Sequence, residues 1–205
     1  MKSKLTKKKK IFLIILFFAT VAVWGWRYLT VNKFYQEHTT KTISFYSMED
    51  EVPFGSDFLA LHESAEGCYV QVENFEIVDF TEYTQNQKIS LDSRQVEMPD
   101  KLVLVHITLR NKGNDNQDIN LSHFALFGID SNPPMDYDLL CQINPLLSDG
   151  IWEITLSQKG EYQITLPYML FKQYYKNSTW SNLDNYTFYL QCTSIPTVKC
   201  IRMGN

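Results

Sequence analysis

The first 29 residues constrain this chain most, because they join a strongly basic start to an uninterrupted apolar run. Residues 11–26 carry no charged side chain, and six lysines precede them within the first ten residues. As a helix, this run spans roughly 24 Å. The flanking Lys10 and Arg27 side chains can extend towards the headgroups of a bilayer whose apolar core is about 30 Å thick. The pattern predicts a cytoplasmic basic tail over residues 1–10 and a transmembrane anchor over residues 11–29.

The distribution of charge around this run predicts its orientation. Positive charge accumulates on the cytoplasmic side of membrane helices, so the chain after Tyr28 is expected outside the cell membrane. Trp24 and Trp26 stand where an aromatic belt would meet the outer interface. A cleaved signal peptide shares the basic start and the short apolar core, and residues 20–22 (TVA) offer a cleavage site. The apolar run continues past that site, which favours an uncleaved anchor.

The rest of the chain is acidic. After Arg27 it carries 12 basic and 23 acidic residues, a formal charge of −11. Such a surface disfavours nucleic acid or anionic lipid as a partner of the domain. Residues 30–41 are polar and predict a short tether, which reaches at most about 40 Å. Residues 42–205 are numerous enough for one extracellular domain.

Alternating apolar residues separated by turn signals predict that this domain is mainly β. The clearest strand is KLVLVHITLRN (101–111), which places Val103, Val105, Ile107 and Leu109 on one face. Its predicted partner strand is 119–128. The other predicted strands are 42–46, 68–80 (with a bulge at 73–74), 88–91, 150–156, 160–168, 186–192 and 198–203. Short strands in this number predict an antiparallel, immunoglobulin-like β-sandwich behind a single transmembrane helix.

Three stretches interrupt the strand pattern. Ser56 or Asp57 is suited to cap a short helix that runs through His62. Residues 81–100 are polar and predict a loop, with the strand at 88–91 as its only regular element. Residues 174–183 predict a helical or irregular insert.

Four cysteines lie in the predicted extracellular domain: Cys68, Cys141, Cys192 and Cys200. Outside the cytoplasm they could form two disulfides, for which three pairings exist. The hairpin-like spacing of Cys192 and Cys200 favours that pair. The alternative is that some are free thiols packed as small apolar side chains. The absence of a CxxC spacing argues against a cysteine metal site.

The order of these features resembles a known family. It comprises the basic start, the anchor ending WGWRY, the strands LVLVHITLRNKG and GEYQITLPYML, Trp180, FYL, and the closing VKCIRM. This order resembles a family of small membrane-anchored proteins of Gram-positive bacteria that is known only as a domain of unknown function. The layout is similar to telokin-like, immunoglobulin-like extracellular domains. The resemblance implies the fold and the location, and it assigns no reaction, cofactor or catalytic residue.

Two patterns could supply metal ligands. His62 and Glu66 have the spacing of two ligands on one helical turn, which would need a third ligand from elsewhere. The loop 114–118 (NDNQD), together with the acidic loop 130–138, is rich in oxygen ligands of the kind that calcium prefers. A solvated turn is the favoured explanation of each pattern, so no metal or cofactor is predicted. Nucleophile motifs such as GxSxG and SxxK are absent from the sequence.

One stretch predicts a binding surface. Residues 168–180 (YMLFKQYYKNSTW) concentrate aromatic side chains, which are favoured at recognition sites because they bury a large area at low entropic cost. The candidate residues are Tyr168, Phe171, Tyr174, Tyr175 and Trp180. The alternative, which the aromatic cores of β-sandwiches favour, is that Tyr168, Phe171 and Trp180 fill one end of the core.

Together these patterns predict a non-enzymatic, single-pass protein of the bacterial cell membrane. Its extracellular domain would bind or scaffold an envelope protein, a peptide or a glycan, a use inferred by analogy with other sandwich folds. Two alternatives stay open. One is a small envelope enzyme, such as a metal-dependent hydrolase with His62 or the acidic loops in a pocket. The other is a modulator of a membrane complex whose anchor contacts partner helices.

Overall fold

The computed structural model describes residues 7–39, 42–60, 63–91, 97–128, 131–148 and 150–204. The chain divides into two compact units, residues 1–40 and 41–205. The first unit contains the helix α1 (Lys7–Thr39). Its segment Ile11–Val31 is long and apolar enough to cross a membrane, and none of that segment is buried inside the protein. The helix continues through most of the predicted tether, because no glycine or proline interrupts the chain between Arg27 and Thr39.

The second unit is mainly β. Its described strands are β1 (Thr42–Ser47), β2 (Val52–Pro53), β3 (Phe58–Ala60), β4 (Glu63–Ser64), β5 (Cys68–Asp79), β6 (Lys101–Asn111), β7 (Gln117–Asn120), β8 (Ala125–Gly128), β9 (Glu153–Leu156), β10 (Glu161–Leu170), β11 (Phe188–Gln191) and β12 (Thr197–Met203). Its described helices are α2 (Phe80–Asn86), α3 (Tyr137–Ile143) and α4 (Asn177–Trp180), with 3₁₀ turns at Leu121–His123, Lys172–Tyr174 and Leu183–Asn185. The strands form two four-stranded sheets, β1-β12-β11-β8 and β10-β6-β5-β2, and two ribbons, β3-β4 and β7-β9.

The two larger sheets contribute to one hydrophobic core. The face of β6 that the sequence predicted, from Val103 to Leu109, packs in the same cluster as Phe188 and Leu190 of β11. At one end the opposite face of β6 is buried too. There Leu102 and Leu104 form a smaller cluster with residues of α2, α3 and β10, which are Phe80, Leu139 and Met169.

Most predicted strands are confirmed. β5 covers the predicted strand at 68–80, and its register with β6 shifts between Val72 and Asn74, which confirms the bulge. β6 and β10 pair in antiparallel fashion, as do β11 and β12 of the closing hairpin. The expectation of purely antiparallel pairing is wrong for β1, which pairs with β12 in parallel.

The predicted partner strand at 119–128 is wrong. β6 pairs with β5 and β10 instead. The stretch divides into β7, a 3₁₀ turn and β8, and these two strands belong to different sheets. The Asn120 side chain explains the division, because its Oδ1 accepts hydrogen bonds from the amide and the hydroxyl of Ser122 and caps the turn.

Three other local predictions are also wrong. The helix expected after Ser56 is absent from the described part of this segment, where β3 and β4 form a ribbon; His62 lies outside the described residues. The polar stretch 81–100 begins with α2 rather than a loop, because the Asp79 carboxylate caps the amide of Glu82 at 3.0 Å. The strand expected at 88–91 is replaced by a turn in which the Ile89 amide donates to the Thr84 carbonyl.

All four cysteines are free in the structure, so the favoured disulfide between Cys192 and Cys200 is not formed. The hairpin register gives the reason. Cys200 lies directly opposite Gln191, whereas the Cys192 amide donates to the Lys199 carbonyl. Neighbouring side chains of a strand point to opposite faces, so the two sulfur atoms project from opposite sides of the sheet.

We expect one of the four thiols to react readily in the folded protein. Burial raises the pKa of the Cys68 thiol to about 11, and burial also raises the pKa of Cys192 and of Cys200. At pH 8 a thiol of pKa 11 is ionised in roughly one molecule in a thousand, and the thiolate is the reactive form. Cys141, which is the least buried of the four, should therefore take up maleimide first.

Mass spectrometry of the labelled chain checks this expectation. One fast label in the native state and four labels in denaturant without reductant are expected. Only two labels in denaturant would show that a disulfide forms and would contradict the thiol assignment.

Candidate functional site

The predicted aromatic surface begins at the end of β10, where a second segment of the chain covers the strand's edge. The Met169 amide donates to the Pro134 carbonyl at 2.8 Å, and the Asp136 amide donates to the Pro167 carbonyl at 2.8 Å. These bonds hold the Pro133-Pro134 pair alongside the chain as it leaves the strand. The 3₁₀ turn at Lys172–Tyr174 then carries the chain towards α4.

The five candidate residues do not share one environment. Tyr168 is 1% exposed, and its hydroxyl donates to the Phe124 carbonyl at 3.1 Å. Phe171 and Tyr175 are buried as well, whereas Trp180 is partly buried and packs against the main core. Their positions fit the alternative in which aromatic residues fill one end of the core.

Tyr174 differs from the other four, because 66% of it is exposed. Its ring lies 5.7 Å from the ring of Phe171 at an interplanar angle of 73°. This edge-to-face contact orients the exposed ring against a buried one. The 3₁₀ turn beneath it is fixed by the carboxylate of Asp100, whose Oδ2 accepts a hydrogen bond from the Lys172 amide at 2.8 Å.

Two depressions meet at Phe171 and Tyr175, which line both of them. The smaller has a volume of about 190 Å³ and is also lined by Ser131, Asn132, Pro133, Pro134, Met169 and Tyr174. The larger has a volume of about 570 Å³ and is also lined by Glu97, Met98, Asp100, Lys172, Gln173 and Asn177. We call these two depressions, with the Tyr174 ring beside the smaller one, the Tyr174 groove.

The groove offers recognition chemistry of two kinds. The first is aromatic and proline surface, provided by Tyr174 and the two prolines. The second is polar: the larger depression carries carboxylate, amide and ammonium groups. Within the floor, the Tyr175 hydroxyl accepts a hydrogen bond from Ser131 Oγ at 2.7 Å. Burial raises the pKa of Tyr175 above its usual value, so this phenol stays protonated at neutral pH and retains its own proton to donate.

Sequence reasoning missed half of this site. Pro133 and Pro134 were assigned only to an acidic loop, and Met98 and Asp100 only to a polar one. The hydrogen bonds to the edge of β10 bring the prolines to the groove across more than 30 residues of sequence. The Pro-Pro pair was the one local signal, since it stops a strand or helix but does not show what it packs against.

The other candidate ligands serve the fold. In the loop 114–118, Asn116 Oδ1 accepts from the Gln158 amide at 3.1 Å and Asp118 Oδ1 accepts from Thr155 Oγ1 at 2.6 Å. In the loop 130–138, Asp136 Oδ1 accepts from the Leu139 amide at 3.1 Å and caps α3. Within the part of the chain that the structure describes, which excludes His62, no three histidine, cysteine or acidic side chains are grouped to hold a metal ion.

The fold and the groove define a class of protein: a mainly β domain with a surface groove lined by aromatic and polar side chains, preceded by an apolar helix long enough to cross a membrane. Residues 43–199 match the family described as "Domain of unknown function (DUF5028)", and the chain belongs to that family. This match agrees with the resemblance to a family known only as a domain of unknown function. No curated protein matches the chain.

Two solved structures from Bacillus subtilis are similar in part. One is ycdA, a lipoprotein candidate, with a TM-score of 0.45 and 10% identity over 78% of this chain. This chain corresponds to 39% of the length of ycdA. The other is the yjhA protein, with a TM-score of 0.39 and 11% identity; the match covers 75% of this chain and 82% of yjhA.

Proposed function

We propose that this chain is a single-pass, membrane-anchored binding module of the Gram-positive cell envelope, and that it is not an enzyme. In this proposal α1 spans the membrane with its lysine-rich end in the cytoplasm. The second unit is an extracellular, immunoglobulin-like β-sandwich. The support from α1 is physical: apolar side chains such as Phe12 and Phe18, each 65% exposed, would be costly to leave in water.

The observation that carries the binding role is the exposed Tyr174 ring beside the smaller of two adjoining depressions. A large aromatic side chain left exposed next to a concavity is typical of a recognition site. Its contact with Phe171 and the hydrogen bond from the Lys172 amide to Asp100 order the turn before any partner arrives. A site ordered in advance loses less entropy on binding.

The composition of the groove indicates the kind of partner. A ring or an apolar side chain can stack on Tyr174 and the two prolines, while Gln173 and Asn177 can exchange hydrogen bonds with a polar chain. An envelope protein, a peptide segment or a glycan presents both kinds of group. The acidic character of the domain, with 23 acidic residues after Arg27, argues against a polyanionic partner.

We expect Tyr174→Ala to reduce partner capture by about tenfold or more, because truncating a central aromatic residue of an interface typically has effects of this size. The measurement is a pull-down of the tagged full-length chain, at native level, from crosslinked cells. Ile151→Ala is the matched control, since Ile151 is a large apolar residue, 54% exposed, outside the lining of the groove. Tyr175 and Trp180 are unsuitable for this test because both pack into the core cluster.

Equal capture by the two variants would remove the groove from the proposal. Recovery of no envelope partner, together with a stoichiometric metal found by elemental analysis of the purified chain, would favour the enzymatic alternative instead.

A further inference from the structure

Among the residues that the structure describes, no strand pairs with the outer edge of β1. β1 is the outermost strand of the order β1-β12-β11-β8, and it pairs with β12 over six residues without a register shift. Exposed edges are normally protected by a charge, a proline, a bulge or a covering segment. The sequence of β1, TISFYS, contains neither a charged residue nor a proline. The same molecule covers the edge of β10 with residues 134–136.

The pairing of β1 with β12 shows which backbone groups point outward. The Thr42 amide donates to the Pro196 carbonyl, and Thr42 is in register with Thr197. Since backbone groups alternate in direction along a strand, Thr42, Ser44 and Tyr46 face β12. The N–H and C=O groups of Ile43, Phe45 and Ser47 therefore face away from the sheet. The outward amide of Ser47 is already bonded to the Asp50 carboxylate at 2.7 Å.

Ile43 and Phe45 thus combine outward backbone groups with exposed apolar side chains. Ile43 is 58% exposed and Phe45 is 65% exposed. Both point to the outer face of the sheet, where they are in register with Val198 and Cys200, and the Phe45 ring lies 5.5 Å from that of Tyr189. An open edge bordered by an apolar face is the feature that strand addition requires.

We propose that β1 pairs with β1 of a second copy of this chain, in antiparallel fashion, about a two-fold axis that passes beside Ser44. In this register Ile43 lies opposite Phe45 of the other copy, and each N–H and C=O of the two residues finds its partner. The side chains stay on the same face, so two contacts between Ile and Phe side chains form across the axis.

The register argues for a copy of the same chain rather than for an unrelated strand. The segment is complementary to itself, as an isologous interface requires. Pairing of the two β1 strands brings no like charges together, because β1 has no charged residue, although each domain is acidic. The Asp50 carboxylate accepts a hydrogen bond from the Ser47 amide, so the unpaired part of the edge ends just beyond Phe45. The result is a pair of sheets joined into one, and it does not depend on the Tyr174 groove or on the location of the chain.

Disulfide crosslinking of the full-length chain tests this register. In the proposed register Ser44 lies opposite Ser44 of the second copy, and these two residues exchange no hydrogen bonds. The Cα atoms of such a pair are about 4.5 Å apart, so the two cysteines of Ser44→Cys are within disulfide reach of each other. Thr42→Cys is the matched control, because its two copies would be roughly 14 Å apart. Both variants carry Cys141→Ser, which removes the least buried native thiol. After mild oxidation and blocking of free thiols, we expect about tenfold more dimer from Ser44→Cys than from Thr42→Cys.

Two further substitutions show whether the dimer depends on this edge. Ile43→Pro removes an outward N–H and leaves the bonds to β12 intact, while Phe45→Lys adds the charge that natural edges use. Each should reduce the Ser44→Cys dimer to the level of Thr42→Cys, and circular dichroism shows whether each variant is folded. Phe45→Lys keeps the test decisive if proline disturbs folding.

Three outcomes would overturn the proposal. The first is a Ser44→Cys dimer no stronger than the Thr42→Cys dimer. The second is a dimer that survives both edge substitutions, which would show that other parts of the chain bring the copies together. The third is a crosslink from Ser44→Cys to a different protein, which would make this edge a docking site for another chain.

Discussion

Asp57→Asn should destabilise the second unit by about 3–5 kcal/mol, because it breaks a buried ion pair and leaves one charge without its partner. The Asp57 Oδ2 atom lies 2.7 Å from Lys199 Nζ. Both residues are only 8% exposed, so water cannot replace the lost carboxylate. The remaining ammonium group would be left facing neutral oxygen atoms.

The hydrogen bonds around this ion pair explain why its loss should lower the stability so much. Lys199 Nζ also donates to the carbonyls of Pro53 at 2.6 Å and Phe54 at 3.0 Å. The other carboxylate oxygen of Asp57 accepts a hydrogen bond from the Thr197 amide at 3.1 Å. The pair therefore ties residues 53–57 to β12, across about 140 positions of the sequence.

Denaturant unfolding of the full-length chain in detergent, followed by near-ultraviolet circular dichroism, measures this loss. Glu161→Gln is the matched control: it breaks the contact from Arg110 Nε to Glu161, 2.8 Å long, where the acidic side chain is 52% exposed. An exposed pair contributes about 1 kcal/mol or less. Equal losses from the two substitutions would show that the Asp57 pair is hydrated and would contradict the prediction.

Asp57 and Lys199 also show where sequence reasoning stops. Asp57 was interpreted as a helix cap, because a small acidic residue before an apolar run is typical of one. Lys199 lies in a strand that the sequence predicted correctly, but a lysine gives no local sign that it points into the core. The pairing that fixes both residues is set by the packing of distant segments, which no short-range period reveals.

The elements that were predicted correctly have a strong local signal. β6 has apolar residues at every second position from Val103 to Leu109, and the closing hairpin has two short apolar-rich runs around a proline. The stretch 119–128 has a similar composition but was misassigned, since a single Asn side chain caps a turn within it. Polar residues that bond to their own backbone can override an apolar pattern.

The candidate site shows the same contrast between what a local sequence signal predicts and what contacts between distant segments decide. Aromatic content drew attention to residues 168–180, part of which lines the groove. It could not separate Tyr174, 66% exposed, from its neighbour Tyr175, 9% exposed. A 3₁₀ turn has no period-two or 3.6-residue pattern long enough to distinguish adjacent side chains. Hydrogen bonds between distant segments, and not composition, decide which ring reaches the surface.

Asn144→Ala should cost about 2–4 kcal/mol, because it leaves backbone groups on the edge of β10 without partners. Asn144 is 4% exposed, and its side-chain amide bonds to both backbone groups of Thr165, as a neighbouring strand would. Its Oδ1 accepts from the Thr165 amide at 2.8 Å, and its Nδ2 donates to the Thr165 carbonyl at 2.8 Å. Nδ2 also donates to the Leu140 carbonyl at 2.7 Å, which closes the end of α3.

The control for this prediction is an exposed amide at the end of the same helix. Gln142 Nε2 donates to the Ser90 carbonyl at 3.1 Å in an exposed position, so water replaces that bond in Gln142→Ala at a cost of about 0.5 kcal/mol or less. Urea unfolding compares the two variants, and hydrogen exchange at the Thr165 amide reports the edge directly. Faster exchange in Asn144→Ala alone would show that one side chain protects this edge. Unchanged exchange would mean that β10 is held by its pairing with β6 and by residues 134–136, with Asn144 contributing only to the end of α3.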